Sequence, residues 1–548
     1  MGITISRKLI CCRRFSIASV MNAKEEEKCF VLPQSASSLE DNVMKVIEIP
    51  TEGSEKQNVL LVKQNGIISA LSAKCTHYGA PMKDGVLGDG RIRCPWHGAC
   101  FNSKTGDIED GPGLDCLQSF RVEVNENAVS IWYSRSKLAE QKRIKEMVAG
   151  DPNIYDSESC VVIGGGAAGS ACVEGLRQEG FRGRIVLCSD EPYHPYDRIK
   201  ISKLINAKID TMLLRKDSFY KEHDIEVLTN DRVLSVDDKN CTVHLNSGTK
   251  LHYSHLFIAS GCNSRKPSYP GIELNNIFYL RNFSDKEKIS VAVTENVKLV
   301  ILGTSFIGME MASFYIGKVK QITVIGSIPF RRTLGTEIGL KIKKMLEAKG
   351  VTFILNNLPS KLTSGDKNDG ILRSLVLTDG TVVEADVLLI AIGSVPATDF
   401  LKTSNIKLAE SGHVIVNKYL ETNVANVFAG GDVAIAPLYD GHSTCGHWQL
   451  AQYCGKLAAK NLVHKNHSEI STVPFFWTKI LDTNIRCSGV FENYDRIQLS
   501  EDDENEKNFI AHFCKNGKIY GVAASGSKAS YAIEFAEKLA VHGPTLDL

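Results

Sequence analysis

The sequence predicts a multidomain chain: a small all-β domain, then an α/β body with two dinucleotide-binding layers, then an α+β C-terminal domain. Three observations predict it. At roughly 150 residues per domain, 548 residues suggest three or four domains. Between Val43 and Tyr133 the apolar runs are short, as in Val59-Leu60-Leu61-Val62, Ile67-Ile68 and Val129-Ser130-Ile131-Trp132, with Gly-Asp, Asp-Gly and Pro-Gly pairs between them. From Cys160 the pattern becomes β-α-β: Val161-Val162-Ile163 enters a Gly-rich turn, a helical stretch follows, then Ile185-Val186-Leu187-Cys188. A second such unit starts at Lys298-Leu299-Val300-Ile301-Leu302.

Composition narrows the function classes. Lys+Arg 64 against Asp+Glu 63 gives a net charge of +1, which argues against a nucleic-acid partner held by bulk charge. No apolar run reaches the length of a spanning helix, so at most peripheral membrane contact is expected. Sixteen Cys are too dilute for a disulfide scaffold and leave metal ligation, redox chemistry or buried thiols. Residues 1–23 carry Arg7, Lys8, Arg13 and Arg14 with no acid before Glu25, the composition of a mitochondrial transit peptide. The rival reading is a lipid anchor, from Met1-Gly2-Ile3-Thr4-Ile5-Ser6 and the Cys11-Cys12 pair beside Arg13-Arg14, which would place the chain at a membrane surface or in the cytoplasm.

The all-β domain holds the sharpest local signal. Cys75-Thr76-His77 precedes Cys94-Pro95-Trp96-His97 in two Gly-rich arms. Two Cys and two His can hold one Zn²⁺ or a Rieske [2Fe–2S] cluster. Zinc fingers usually put both Cys in one arm and both His in the other. One Cys and one His per arm suits the two-iron cluster better, with Cys75, His77, Cys94 and His97 as its metal ligands.

In the first α/β layer, Gly164-x-Gly166-x-x-Gly169 follows a strand and opens a helix. There the first Gly makes the turn, the second admits a pyrophosphate and the third lets helix and strand pack closely. Asp190 and Glu191, about 20 residues on, are candidates for the ribose hydroxyls. In the second layer Gly303, Ser305 and Gly308 repeat the pattern with Ser in the middle. Gly326 and Ser327 stand where an acid selective for NAD would be, and Arg331 and Arg332 follow, which leaves NADP open.

Several strings resemble known families. Cys75 through Ala80 with Cys94 through Asn102 resembles the Rieske family. Respiratory Rieske proteins carry an extra Cys in each arm and Ser and Tyr hydroxyls near the cluster, and the matching positions here are Ala80, Trp96, Ala99 and Phe101. Fewer donors to cluster sulfur stabilise the reduced state less. The expected potential lies near the bottom of the roughly −150 to +300 mV Rieske range, and a titrated midpoint well above zero would overturn this. Leu256–Gly261 and Thr422–Asp432 resemble the connecting strand and second FAD motif of two-dinucleotide-domain flavoproteins. Glu191 through Lys203 resembles a flavin-side segment of ferredoxin reductases. These likenesses imply FAD in the first layer, with Arg198 and Lys203 on the flavin and Asp432 on its ribityl chain. They further imply that Trp448, in His447-Trp448-Gln449, lies beside the flavin, and that Glu310 lies near the nicotinamide of NAD(P)H. Lys203 and Glu310 are thus the expected catalytic pair. His442, His447 and Asp440 hint at an oxygenase iron site, but the spacing of the acid is wrong. No Cys-x-x-Cys pair follows the FAD motif, so a dithiol mechanism is not expected.

From about residue 43 to the end, the domain order resembles the Rieske-bearing branch of the apoptosis-inducing factor family. The implied division is a tail over 1–42, a Rieske domain over 43–134, a linker over 135–157, FAD segments over 158–295 and 406–472, an NAD(P) domain over 296–405 and a C-terminal domain over 473–548. The resemblance implies a mitochondrion-associated oxidoreductase linked to apoptosis. Electrons from NAD(P)H would pass through FAD to the chain's own cluster and on to an oxygenase or other redox protein. Two readings compete with it: a redox-sensing interaction protein with incidental turnover, and a structural zinc module on a reductase.

Overall fold

The computed structural model describes residues 26–51, 56–367, 369–438, 441–444, 446–465, 468–501 and 507–545. The targeting signals read in residues 1–23, and Asp440, lie outside the described residues, as does the side chain of His442.

The first domain is a six-stranded antiparallel sheet in the order Lys28–Ser35, Ala128–Tyr133, Ser119–Asn125, Ile67–Ser72, Lys56–Gln64, Val43–Pro50. A smaller sheet, Val86–Leu87, Arg91–Arg93, Cys100–Asn102 and Ile108–Asp110, packs against it and carries one of the Cys-His arms. The domain starts earlier than the sequence suggests. Lys28–Ser35, expected within a tail, pairs with Ala128–Tyr133. It is an edge strand whose only buried residue is Leu32, so it shows no apolar alternation, and an edge tolerates Pro33.

Residues 135–157 are docked rather than a free connector. The charged run after Ser134 is helical only over Arg135–Glu140 and stops at Gln141, at φ +57. Lys142–Arg143 then pairs with Cys116–Leu117. A tertiary strand pairing overrides the helical propensity of the charged run.

Two parallel sheets follow. The first runs Ile225–Leu228, Arg184–Cys188, Ser159–Ile163, His255–Ile258, Val427–Ala429. The second runs Val351–Leu355, Gln321–Gly326, Lys298–Leu302, Val387–Ile390, Ile277–Tyr279. In each, the Gly-rich turn leaves the central strand where the order of connection reverses. Such open sheets bind ligands at that place, beyond the carboxyl ends of the strands. Ile277–Tyr279 already belongs to the second sheet, ahead of the residue 296 start read from the sequence. A three-residue edge strand is too short to show a period.

The last domain is a five-stranded antiparallel sheet, Phe475–Ile480, Thr483–Gly489, Lys518–Ser525, Phe509–Lys515, Arg496–Glu501, covered by helix Tyr531–His542. Buried charges fasten the first domain to the others. Glu537 on that helix pairs with Arg91 (2.9 Å) and Arg93 (2.7 Å) of the cluster domain. Asp115 pairs with Arg215 (2.7 Å), which also holds Glu174 on the first dinucleotide helix (3.0 Å).

Candidate functional site

The two Cys-His arms fold into the same turn. Cys75 N donates to Ala80 O and Gly79 N to Cys75 O; Cys94 N donates to Ala99 O and Gly98 N to Cys94 O. Gly79 and Gly98 close the turns at φ +77 and +73, a region that suits glycine. Cys75 and Cys94 are buried and their thiols hydrogen-bond each other. That bond raises the Cys75 pKa and, with the Trp96 and His97 amides and the Arg486 charge, brings Cys94 down to about 7. Cys75 likewise faces the amides of His77 and Tyr78.

The His77 and His97 rings lie 5.0 Å apart. Burial lowers their pKa values to about 4 and about 3, so both imidazoles are neutral, the form that ligates a metal. His77 Nδ1 is buried without a hydrogen-bond partner, a placement that a metal would satisfy. Among the described residues no three of His, Cys, Asp and Glu are grouped to hold one ion. The four donors form instead a thiol pair and an imidazole pair, as two irons require, so the donor set fits a [2Fe–2S] cluster.

His97 also borders a second cavity of about 200 Å³. Lys203, Glu310, Phe306, His447, Trp448 and Trp477 line it with His97. Four sequence-selected residues from separate segments thus meet: His97, Lys203, Glu310 and Trp448. Glu310 accepts from Lys203 Nζ (2.7 Å), Ser202 Oγ (2.6 Å) and Thr478 Oγ1 (2.8 Å), which fixes both its oxygens. The His97 and Trp477 ring centroids are 4.3 Å apart, and Lys203 Nζ stands 4.7 Å over the Trp477 ring. The arm approaches strand Phe475–Ile480 closely because position 98 is glycine: a Cβ there would fall 2.9 Å from the Phe475 ring.

The first Gly-rich turn opens on a neighbouring cavity lined by Gly164, Asp190, Glu191, Arg198, Arg281 and Phe400. A Cβ at Gly164 would meet Ala259 O at 2.2 Å, and one at Gly169 would meet Gly164 O at 1.9 Å. Gly166 is different: only Arg198 Nε comes as near as 4.0 Å. It caps helix Ala167–Gln178 without a side-chain bond, leaving free amides and open space for a pyrophosphate. Those residues fit the diphosphate of FAD. The two ribose candidates separate. Glu191 is engaged by Arg198 and by Tyr196 Oη (2.6 Å), whereas Asp190 is exposed at the cavity edge. Asp432 pairs with Arg281 (3.0 Å).

The second layer repeats this geometry. A Cβ at Gly303 would meet Ala391 O at 2.2 Å, and one at Gly308 would meet Gly303 O at 2.2 Å. Ser305 is exposed at the start of helix Phe306–Tyr315 and faces a large cavity, so the only position of the three with room is the one that is not glycine.

Arg281 and Arg486 carry no motif in the sequence, yet each lies at one of these sites, as does Trp477 in the string Val473-Pro474-Phe475-Phe476-Trp477 that resembles the apoptosis-inducing factor family. Trp477 stands beside His97, Arg281 holds Asp432, and Arg486 lines a small cavity with Tyr78, Trp96, His97 and Trp477. A lone arginine has no spacing to signal it. His447 is exposed, its ring stacked on Phe476 (4.3 Å) where it lines the cavity shared by Lys203 and Glu310. All thirteen described cysteines are free thiols, and Cys100 and Cys116 are buried as packing thiols.

Residues 33–121 match the Rieske [2Fe-2S] domain family and residues 158–455 the pyridine nucleotide-disulphide oxidoreductase family. Apoptosis-inducing factor 3 of Homo sapiens is 39% identical over 494 residues, 89% of this chain and 80% of the relative. Rubredoxin-NAD(+) reductase of Pseudomonas putida is 28% identical over 63% of this chain and 90% of its own length. Among solved structures, the covalent putidaredoxin reductase–putidaredoxin complex aligns with a TM-score of 0.66 at 21% identity, covering 70% of this chain and 93% of that one, a likeness of fold. The paired arms, the two Gly-rich layers and these matches lead to one conclusion: the chain belongs to the pyridine nucleotide-disulphide oxidoreductase family, alongside the apoptosis-inducing factor 3 proteins, as an NAD(P)H-dependent flavoprotein oxidoreductase that uses FAD and a Rieske [2Fe–2S] cluster.

Proposed function

We propose that the chain is a reductase fused to its own electron carrier, taking electrons from NAD(P)H and delivering them through the Rieske domain to an external one-electron acceptor. When bound, FAD supplies the exchange between two-electron and one-electron chemistry and the cluster supplies the single-electron store. The observation that carries the reading is the shared cavity: His97 of the cluster arm and Lys203, Glu310 and Trp448 of the reductase line one space.

The chain's own residues then have distinct parts. Cys75 and Cys94 would hold one iron of the cluster and His77 and His97 the other. Gly164, Gly166 and Gly169 seat the FAD diphosphate, with Asp190 on the ribose and Arg198 held in place by Glu191. Asp432 would meet the ribityl chain, and Trp448 would pack beside the flavin. Lys203 presents a cation there, fixed by Glu310, and Glu310 borders the nicotinamide face. No side chain has to move a proton for hydride transfer. Trp477 fills the gap between His97 and Lys203 with a polarizable ring and excludes water from it.

Mixing the oxidised holoenzyme with NADH or NADPH in a stopped-flow instrument is expected to reduce flavin and cluster in turn, with a Rieske EPR signal in the product. A bleached flavin beside a permanently oxidised cluster would defeat the internal relay. Relatives named as reductase components of dioxygenase systems suggest an oxygenase or another redox protein as acceptor. A mitochondrial site rests on the composition of residues 1–23, and a link to apoptosis on the name of the relatives.

A further inference from the structure

We infer that the second dinucleotide layer carries a phosphate subsite, formed by Ser327, Arg331 and Arg332, that takes the 2′-phosphate of NADPH. The inference deepens the proposed function and rests on its reading of this layer as the nicotinamide site.

In such a layer the segment after the second strand meets the adenosine ribose. Strand Gln321–Gly326 ends where a carboxylate would bind the 2′-hydroxyl, and Ser327 comes next. Ser327 Oγ lies 3.2 Å from Thr304 Oγ1, so its hydroxyl sits beside the Gly303 turn.

Phe330 then fixes the loop. Its amide donates to Thr304 O (3.0 Å), its ring packs 5.0 Å from Phe306, and it is 2% exposed. Its φ is +52, a conformation that a bulky residue seldom holds unless its surroundings impose it. The buried ring pins the bend, and the bend sends Arg331 and Arg332 to the rim of a cavity of about 640 Å³. Gly303, Ser305 and Ser327 line the same cavity. Both arginines are exposed, and neither makes an ion pair among the described residues. The one carboxylate among the lining residues is Glu492, on another element beside Ser443 (3.5 Å).

An acid at the ribose would bind a free 2′-hydroxyl and repel a phosphate there. Two guanidiniums and a hydroxyl reverse both preferences, because guanidinium donates paired hydrogen bonds to phosphate oxygens.

The test is calorimetric titration of the FAD- and cluster-loaded protein with NADP⁺ and NAD⁺, repeated with adenosine 2′,5′-bisphosphate and 5′-AMP. NADP⁺ and the bisphosphate are expected to bind about tenfold tighter or more than their partners, with the margin shrinking as salt rises. The double variant Arg331→Gln/Arg332→Gln should lose most of that margin, and Ser327→Asp should invert it, with flavin absorbance and circular dichroism reporting an intact fold. Equal or tighter NAD⁺ binding, or a margin that survives the double variant, would overturn the subsite. NADH reducing flavin and cluster as well as NADPH does would also overturn it while leaving the internal relay standing. Tight NADP⁺ binding with a cluster that NADPH never reduces would overturn the relay instead.

Discussion

Glu537→Gln is expected to lower the unfolding free energy by about 3–5 kcal/mol, the range found when one partner of a buried ion pair is removed. Glu537 accepts from Arg93, only 2% exposed, and from Arg91. The amide keeps the shape of the side chain but takes from two guanidiniums in the domain interface the carboxylate they share, leaving Arg93 only the charge of Asp110. Arg93 stands one residue before Cys94, and its Nη1 also reaches Gly98 O (3.4 Å), so the loss falls on the cluster arm as well as on the interface. Urea unfolding followed by circular dichroism measures the first effect. Stopped-flow reduction of the cluster measures the second, and we expect it to slow, because the docked position of His97 depends on this clamp. Unchanged values for both would show that the fusion does not need the clamp.

Cys94→Ser is expected to remove the cluster and spare the flavin. The thiol is 1% exposed and faces the Trp96 and His97 amides, which stabilise a thiolate. A serine hydroxyl stays protonated there and is a poor, hard ligand for iron–sulfur chemistry. Iron analysis should fall to background and the Rieske EPR signal should vanish. The flavin should still bleach with NAD(P)H, because the FAD diphosphate seat is built from Gly164, Asp190 and Arg198, and the cluster arms lend only His97 to the cavity beside Lys203 and Trp448. A variant that keeps its iron would exclude Cys94 from the ligand set.

The parts of the site that were legible in the sequence share a property: each fits within one loop or one turn. Cys75 with His77, Cys94 with His97, and Gly164 with Gly166 and Gly169 are short spacings, and local geometry makes them meaningful. Why Ser can stand at position 305 is seen only in the structure: of the three turn positions, the middle one alone faces open space. Edges were harder. Lys28–Ser35 and Ile277–Tyr279 are strands whose partners, not their own patterns, hold them in place. The charged run after Ser134 has helical propensity, yet beyond Gln141 the chain pairs with Cys116–Leu117 because that strand is offered. Glu191 and Asp190 were indistinguishable as neighbours in sequence. Only the arrival of Arg198 and Tyr196 on Glu191 separates them.

By itself, then, the sequence determined the cofactor classes and the order of the domains, because ligand spacing and Gly-rich turns depend on neighbours a few residues apart. The tertiary structure decided how those cofactor sites face one another. It set His97 against Trp477, placed Lys203 and Glu310 on the same cavity, and buried Glu537 on the arginines of the cluster domain. Those contacts join residues hundreds of positions apart, and they form only when apolar faces pack and bring desolvated charges into register. No local pattern encodes that packing.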